Sequence, residues 1–202
     1  MNAFTLPSIP SELNWMNQPL DWKAGPGNQL TVVAGKVSDW FIDPAGNSSI
    51  GNAPCALFSA PDENFILSAC VKVEFASTFD AGVLFLRESD SSWGKLCFEF
   101  SPQGKPMVVS VVTREFSDDC NSIIVEGNTV FLRAAVTPRT IAFHYSHDGK
   151  FWHFVRYFNL GASHRLAVGF SSQSPTGAKC TANFSDIVYQ SGIVKDLRNG
   201  EL

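Results

Sequence analysis

The chain has 202 residues, 45% of them hydrophobic and 17% charged, with a formal net charge of −4. That balance argues against a disordered chain, and the lack of any basic run removes the electrostatic footprint of a nucleic-acid binder. No apolar stretch is long enough to cross a bilayer as a helix, so no membrane partner is expected, and 17 Phe against three Met favour the pleated surfaces of sheets.

No window carries a helical period. Short apolar runs follow one another between Gly, Pro, Asn and Asp, the rhythm of an all-β sandwich or barrel. The first 19 residues lack the basic-then-apolar pattern of a signal peptide. Early strands are predicted over 30–33, 40–42 and 56–58. The run 65–75 reads as one long strand, with Phe65, Leu67, Ala69, Val71, Val73 and Phe75 on one face and Lys72 and Glu74 on the other.

The segment 79–100 reads as two strands, 83–87 and 95–100, joined by a polar loop. Alternation places Trp93, Lys95, Cys97 and Glu99 on one face and Leu96, Phe98 and Phe100 on the other. The second set is ordinary core. The first puts a ring, an ammonium and a carboxyl on one face, as a binding groove needs. A strand over 107–114 follows the turn at Pro102-Gln103-Gly104. Asp118, Asp119 and Asn121 read as a solvated acidic turn, a donor set that would also suit calcium.

Strands over 130–136 and 141–146 come next. His147-Asp148-Gly149-Lys150 predicts a tight primed turn, from which 151–157 pairs back. Strands over 166–172 and 181–189 complete the set, and 195–202 reads as a short helix or a frayed end. About a dozen strands are too many for one flat sheet. The expected fold is a two-sheet antiparallel β-sandwich, a single domain over 1–202 with no internal linker or repeat.

The five cysteines are odd in number, widely spread and form no C-x-x-C pair, which suits a reducing, cytoplasmic setting. Asn47 and Asn183 begin glycosylation-like sequons, read as chance matches without a secretion signal. The four histidines lack paired metal spacing and no Gly-rich phosphate loop exists, so neither metal nor cofactor is expected.

Lys95 and Glu99 lie four residues apart, roughly 13 Å along a strand, too far to pair directly. Each needs partners on neighbouring strands, either as cross-strand ion pairs on a solvated face or as parts of one groove. Sugar recognition would use such groups: an indole face for C–H groups, charged side chains for hydroxyls. Arg114, His144 and Arg156 could join them.

The motifs resemble those of the small "regulation of enolase protein", YesU-like family of the concanavalin A-like jelly-roll superfamily. The resemblance runs from Leu13-Asn14-Trp15-Met16-Asn17-Gln18-Pro19 through Ser38-Asp39-Trp40-Phe41, Ala81-Gly82-Val83-Leu84, and Trp93-x-Lys95-x-x-x-Glu99. It continues with Val111-Val112-Thr113, Ser117-Asp118, Arg156-Tyr157, Val168-Gly169-Phe170 and Ser174-Pro175. Three residues, at two places, depart from it. Phe79 and Asp80 stand where the family often has Asp-Gln, and Asp119 stands where a Trp commonly follows Ser-Asp. The resemblance implies a jelly-roll fold, sugar-related biology, and an effect on glycolytic enzyme levels. It adds Asp39 and Trp40 to the site.

The expected function is saccharide binding on one sheet face, with Trp93 stacking, Lys95 and Arg156 donating, and Glu99 accepting. One alternative is a regulatory protein with a protein partner, linked to glycolytic enzyme expression. The other is a glycoside-processing enzyme using Glu99, with Asp80 or Asp39 as its second carboxylate. The local text Glu88-Ser89-Asp90 only loosely resembles the Glu-x-Asp-x-x-Glu of jelly-roll glucanases and falls in a loop. Cys97 is weighed as a nucleophile and read as packing.

Overall fold

The computed structural model describes residues 3–161, 166–192 and 194–201. Sixteen strands are assigned among them: β1 (Asn14–Met16), β2 (Asp21–Gly25), β3 (Gln29–Gly35), β4 (Trp40–Ile42), β5 (Ser49–Gly51), β6 (Cys55–Ser59), β7 (Phe65–Glu74) and β8 (Ala81–Arg87). The rest are β9 (Ser92–Phe100), β10 (Pro106–Arg114), β11 (Phe116–Ile124), β12 (Thr129–Val136), β13 (Ile141–Ser146), β14 (His153–Phe158), β15 (Ala167–Gln173) and β16 (Lys179–Ser191). The described residues contain no helix.

Two seven-stranded antiparallel sheets pack face to face as a jelly-roll-type sandwich in a single domain. The first runs β1-β6-β15-β8-β9-β10-β11 and the second β14-β13-β12-β7-β16-β3-β2. Alternation on each strand sends one set of side chains between the sheets. Leu84, Leu86, Leu96, Phe98, Val168 and Phe170 enter from the first sheet. They meet Leu67, Ala69, Val71, Leu132, Ala134 and Phe184 from the second. Gly82 marks the closest approach, because a Cβ there would lie 2.6 Å from Val71 Cγ1.

Besides the short strands β1, β2 and β5, where the sequence predicts none, three parts of the chain differ from the sequence expectation. Residues 116–124 form the edge strand β11, not an acidic turn. The β13–β14 connection is a six-residue loop, not a tight primed turn. Asp148 organises it by accepting from the backbone N–H groups of Lys150 and Phe151, which hold its pKa down at about 2. The segment 194–201 is neither helix nor frayed end. It folds back on itself and lies on the outer face of the second sheet, where Val194 and Leu197 pack on Ile66, Ala135 and Ala142.

Candidate functional site

The outer face of the first sheet is partly roofed by the small β4–β5 hairpin. Trp40 of that hairpin donates its indole N–H to Ala53 O at 2.9 Å and packs edge-on against Trp93 and tilted against Phe85. With Cys55, Leu57, Val83 and Cys97 these rings form a second apolar cluster outside the main core. The hairpin is tied to the sheet edge where Ile42 N donates to Ser117 Oγ on β11 at 2.9 Å.

Beside this cluster lies a pocket of about 200 Å³ lined by Asp39, Phe41, Phe79, Lys95, Glu99, Val109, Val111, Asp119 and Gln173. Lys95 is 2% exposed. Its ammonium donates to Asp39 Oδ1 and to Gln173 Oε1, both at 2.9 Å, and lies 5.9 Å from the Trp93 ring centre. An ammonium has three N–H groups, and no acceptor for the third is found among the described residues. Asp39 Oδ1 also accepts from Trp40 N, whereas its second oxygen has no donor among the described residues. Burial alone would pull the Lys95 pKa down. The Asp39 carboxylate, with Glu99 adding to it, outweighs burial and raises it.

Glu99 is 8% exposed and makes no hydrogen bond to a described residue. Burial raises its carboxyl pKa to about 8; Lys95 opposes the rise, and Asp39 and Asp119 add to it. Burial also pushes the Cys97 thiol far up. It therefore stays protonated and offers no thiolate for nucleophilic chemistry.

Three of the wall residues, Asp39, Phe79 and Gln173, are positioned by their chain neighbours. Ser38 Oγ donates to Gly35 O at 2.6 Å and accepts from Ser174 N at 3.0 Å. Ser174 Oγ donates to Asp80 Oδ1 at 2.6 Å, and Asp80 Oδ2 accepts from Ala76 N and Ser77 N. Asp39, Phe79 and Gln173 are each one residue away from this buried network. Phe79 is held with φ 69°, a left-handed conformation that costs a bulky residue free energy. Its N–H donates to Phe100 O at 2.7 Å and its carbonyl accepts from Gln173 Nε2 at 3.3 Å, so its half-exposed ring is fixed at the pocket wall.

Of the six residues expected at the site, Lys95, Glu99 and Asp39 line one pocket. Trp93 lies on that face beneath the hairpin and Trp40 is the hairpin's own ring turned down onto it, 1% and 7% exposed, and neither lines the cavity. Trp93 presents no open ring face to stack on a sugar, because Trp40 and Phe85 cover it. Arg156 is elsewhere. It sits on β14 in the second sheet, pairs with Asp118 Oδ2 at 3.0 Å and donates to Asp118 O at 3.1 Å. Asp80 does not line the pocket either. Its two oxygens are taken by the Ser174 hydroxyl and the turn amides.

The reading of residues alone missed Phe41, Val109, Val111 and Gln173. The alternation Val168, Phe170 against Gly169, Ser171 would have reached Gln173 had the strand been carried one residue further. Of the three residues that depart from the resembled pattern, Phe79 and Asp119 line the pocket and Asp80 does not. No group of three or more His, Cys, Asp or Glu able to hold a metal occurs among the described residues; His164 lies outside them.

Solved structures with this fold include a functionally unknown protein from Saccharomyces cerevisiae. It is 22% identical, with a TM-score of 0.82, over 90% of this chain and 97% of that one. A GH43 protein from Bacillus licheniformis is 16% identical with a TM-score of 0.64; the match covers 82% of this chain and 33% of the other, so the chain spans about a third of that protein. An alginate lyase from Klebsiella pneumoniae is 12% identical with a TM-score of 0.53, over 85% of this chain and 84% of that one. At these identities the likeness is one of fold. No curated protein matches the chain. Residues 15–191 match the family described as "Protein of unknown function (DUF1349)", and the chain belongs to that family.

Proposed function

We propose that the chain is a saccharide-binding protein whose ligand enters the pocket between β9, β10, β11 and the β4–β5 hairpin. The observation that carries this reading is the set of unspent polar groups lining one partly apolar pocket. Lys95 keeps one N–H, Asp39 keeps one oxygen, and Glu99 and Asp119 keep their carboxyl groups, next to Phe41 and Phe79. A sugar hydroxyl both donates and accepts, and the apolar walls suit its C–H groups. A cavity this small suits one sugar unit, not a chain lying across the whole sheet. The likeness to part of a GH43 protein supports sugar-related biology by analogy of fold.

Thermal shift against mono- and oligosaccharides tests the proposal, repeated with Phe79→Ala and Asp119→Asn at the pocket wall. Sugar-dependent stabilisation that both variants weaken supports it. No shift with any sugar overturns it and favours the regulatory, protein-partner reading that goes with the resemblance to the regulation of enolase family. Consumption of the bound sugar, stopped by Glu99→Gln, would make the protein a glycoside-processing enzyme.

A further inference from the structure

Glu99 differs from the other acids of the pocket. Asp119 stands on an edge strand and is exposed, and Asp39 is committed to Lys95. Glu99 is buried on a central strand without a hydrogen-bond partner among the described residues. Its surroundings can be taken element by element. On its own strand lie Lys95 and Cys97. In register across the sheet are Ala81 on β8, Gln173 on β15 beyond it, and Met107 on β10. Asp119 faces the cavity from β11 and Asp39 from the segment before β4.

The charged groups facing Glu99 are therefore one ammonium and two carboxyls. The ammonium already has a carboxylate at 2.9 Å. An ionised Glu99 would be a further anion on a cation that is already neutralised, among Val109, Met107 and Phe79. Burying such a carboxylate costs far more than burying the acid. A neutral carboxyl presents an O–H donor as well as an acceptor.

Resting on the saccharide reading above, we propose that Glu99 meets the ligand as a neutral carboxylic acid, and that the pocket selects an uncharged pentose or hexose unit over a uronic acid of the same size. A hydroxyl can donate to the free Asp39 oxygen while another accepts from the third Lys95 N–H or from the Glu99 O–H. A ligand carboxylate can only accept. It would face the Asp39 and Asp119 carboxylates across a cavity whose ammonium is already paired, with only the third Lys95 N–H and the Glu99 O–H in its favour, and like charges oppose it. The fold itself does not impose this choice, since an alginate lyase shares it. The selection comes from the acids that this chain places in the cavity.

Two measurements on the full chain test the inference. Calorimetry at pH 6 compares D-xylose and D-glucose with D-glucuronate and D-galacturonate. The neutral sugars are expected to bind at least about tenfold more tightly. For the neutral sugars, wild-type affinity falls as pH rises through about 8. Glu99→Gln flattens that fall and binds more tightly than Glu99→Ala, because an amide restores a neutral donor. Carboxyl carbon NMR of glutamate-labelled protein, with Glu99→Gln assigning the resonance, reads the proton directly without any ligand. Titration of that carbon near the ordinary carboxylate range of about 4 overturns the inference whatever binds. Uronates binding as tightly as neutral sugars also overturn it while leaving the saccharide reading intact. Binding of neither class overturns both.

Discussion

Each outer face of the sandwich buries a cation beneath a short covering segment. On the first sheet Lys95 lies under the β4–β5 hairpin, neutralised by Asp39, with an N–H to spare and a cavity alongside. On the second sheet Arg133 lies under the segment 194–201. Its guanidinium sits 4.3 Å over the Trp152 ring and donates to Gly200 O at 2.8 Å, next to His144, whose Nε2 lies 2.8 Å from Leu197 O. The Gly200 carbonyl and the Trp152 indole face meet Arg133 and carry no counter-charge. Burial lowers its pKa to about 10. A cation that donates to the backbone of its own covering segment and packs on an indole fastens that segment in place. A cation paired to a carboxylate, with donors and acceptors left over at a cavity, is equipped for something from outside.

The largest expected effect breaks the first face. Trp93→Ala removes the centre of the second apolar cluster and is expected to cost about 3–5 kcal/mol in a denaturant titration. A loss below 1 kcal/mol would mean that the ring is not the packing centre described here. Asp39→Ala comes next. It strands the Lys95 ammonium and is expected to cost about 3 kcal/mol, most of which returns in Asp39→Ala/Lys95→Met. A double variant no more stable than Asp39→Ala would separate the role of Lys95 from its ion pair.

Titration sharpens the contrast, because the two faces respond to pH in opposite directions. Glu99 has a raised pKa. Its favourable contribution is complete below the ordinary carboxylate range and is lost as pH climbs through about 8. His144 has a lowered one, about 4, through burial and the Arg133 charge, with the Leu197 carbonyl opposing. Its contribution is present above the ordinary imidazole value of about 6.5 and is lost as pH falls through about 4. Melting temperature against pH should therefore gain on the alkaline side in Glu99→Gln. Hydrogen exchange in 194–201 should quicken on the acid side in wild type. The smallest effect is Gly200→Ala. That residue has φ 75°, and a Cβ would lie 2.6 Å from Arg133 Nη2. About 1 kcal/mol of destabilisation is expected, with faster exchange in the tail and no change at the pocket.

Alternation along β9 was legible because that strand lies between β8 and β10 and both of its faces are occupied. The separation of Leu96 and Phe98 from Lys95 and Glu99 followed from spacing alone. Depth did not. Trp93 has the parity of Lys95 but is covered by a hairpin that begins over fifty residues earlier, a long-range contact that no local pattern encodes. Arg156 shows the same limit in another form, since its strand belongs to the opposite sheet and spacing does not assign strands to sheets. β11 escaped because an edge strand with solvent on most of its length carries no apolar alternation. Asp118 and Asp119 look like turn residues until the pairing of Val111 with Asp119 shows one of them facing the pocket. The left-handed backbone of Phe79 has no sequence signal at all, since a phenylalanine is the wrong residue to predict there.

The network joining Ser38, Ser174 and Asp80 also bears on when the pocket forms. Its two links span 136 and 94 residues of chain. Contacts of that separation close late, after the entropy of long loops has been overcome. A folding chain whose central strands have already paired still lacks Asp39 at the mouth of the cavity. Ligand affinity therefore reports on the last stage of assembly, and a ligand added during refolding should speed only the final phase.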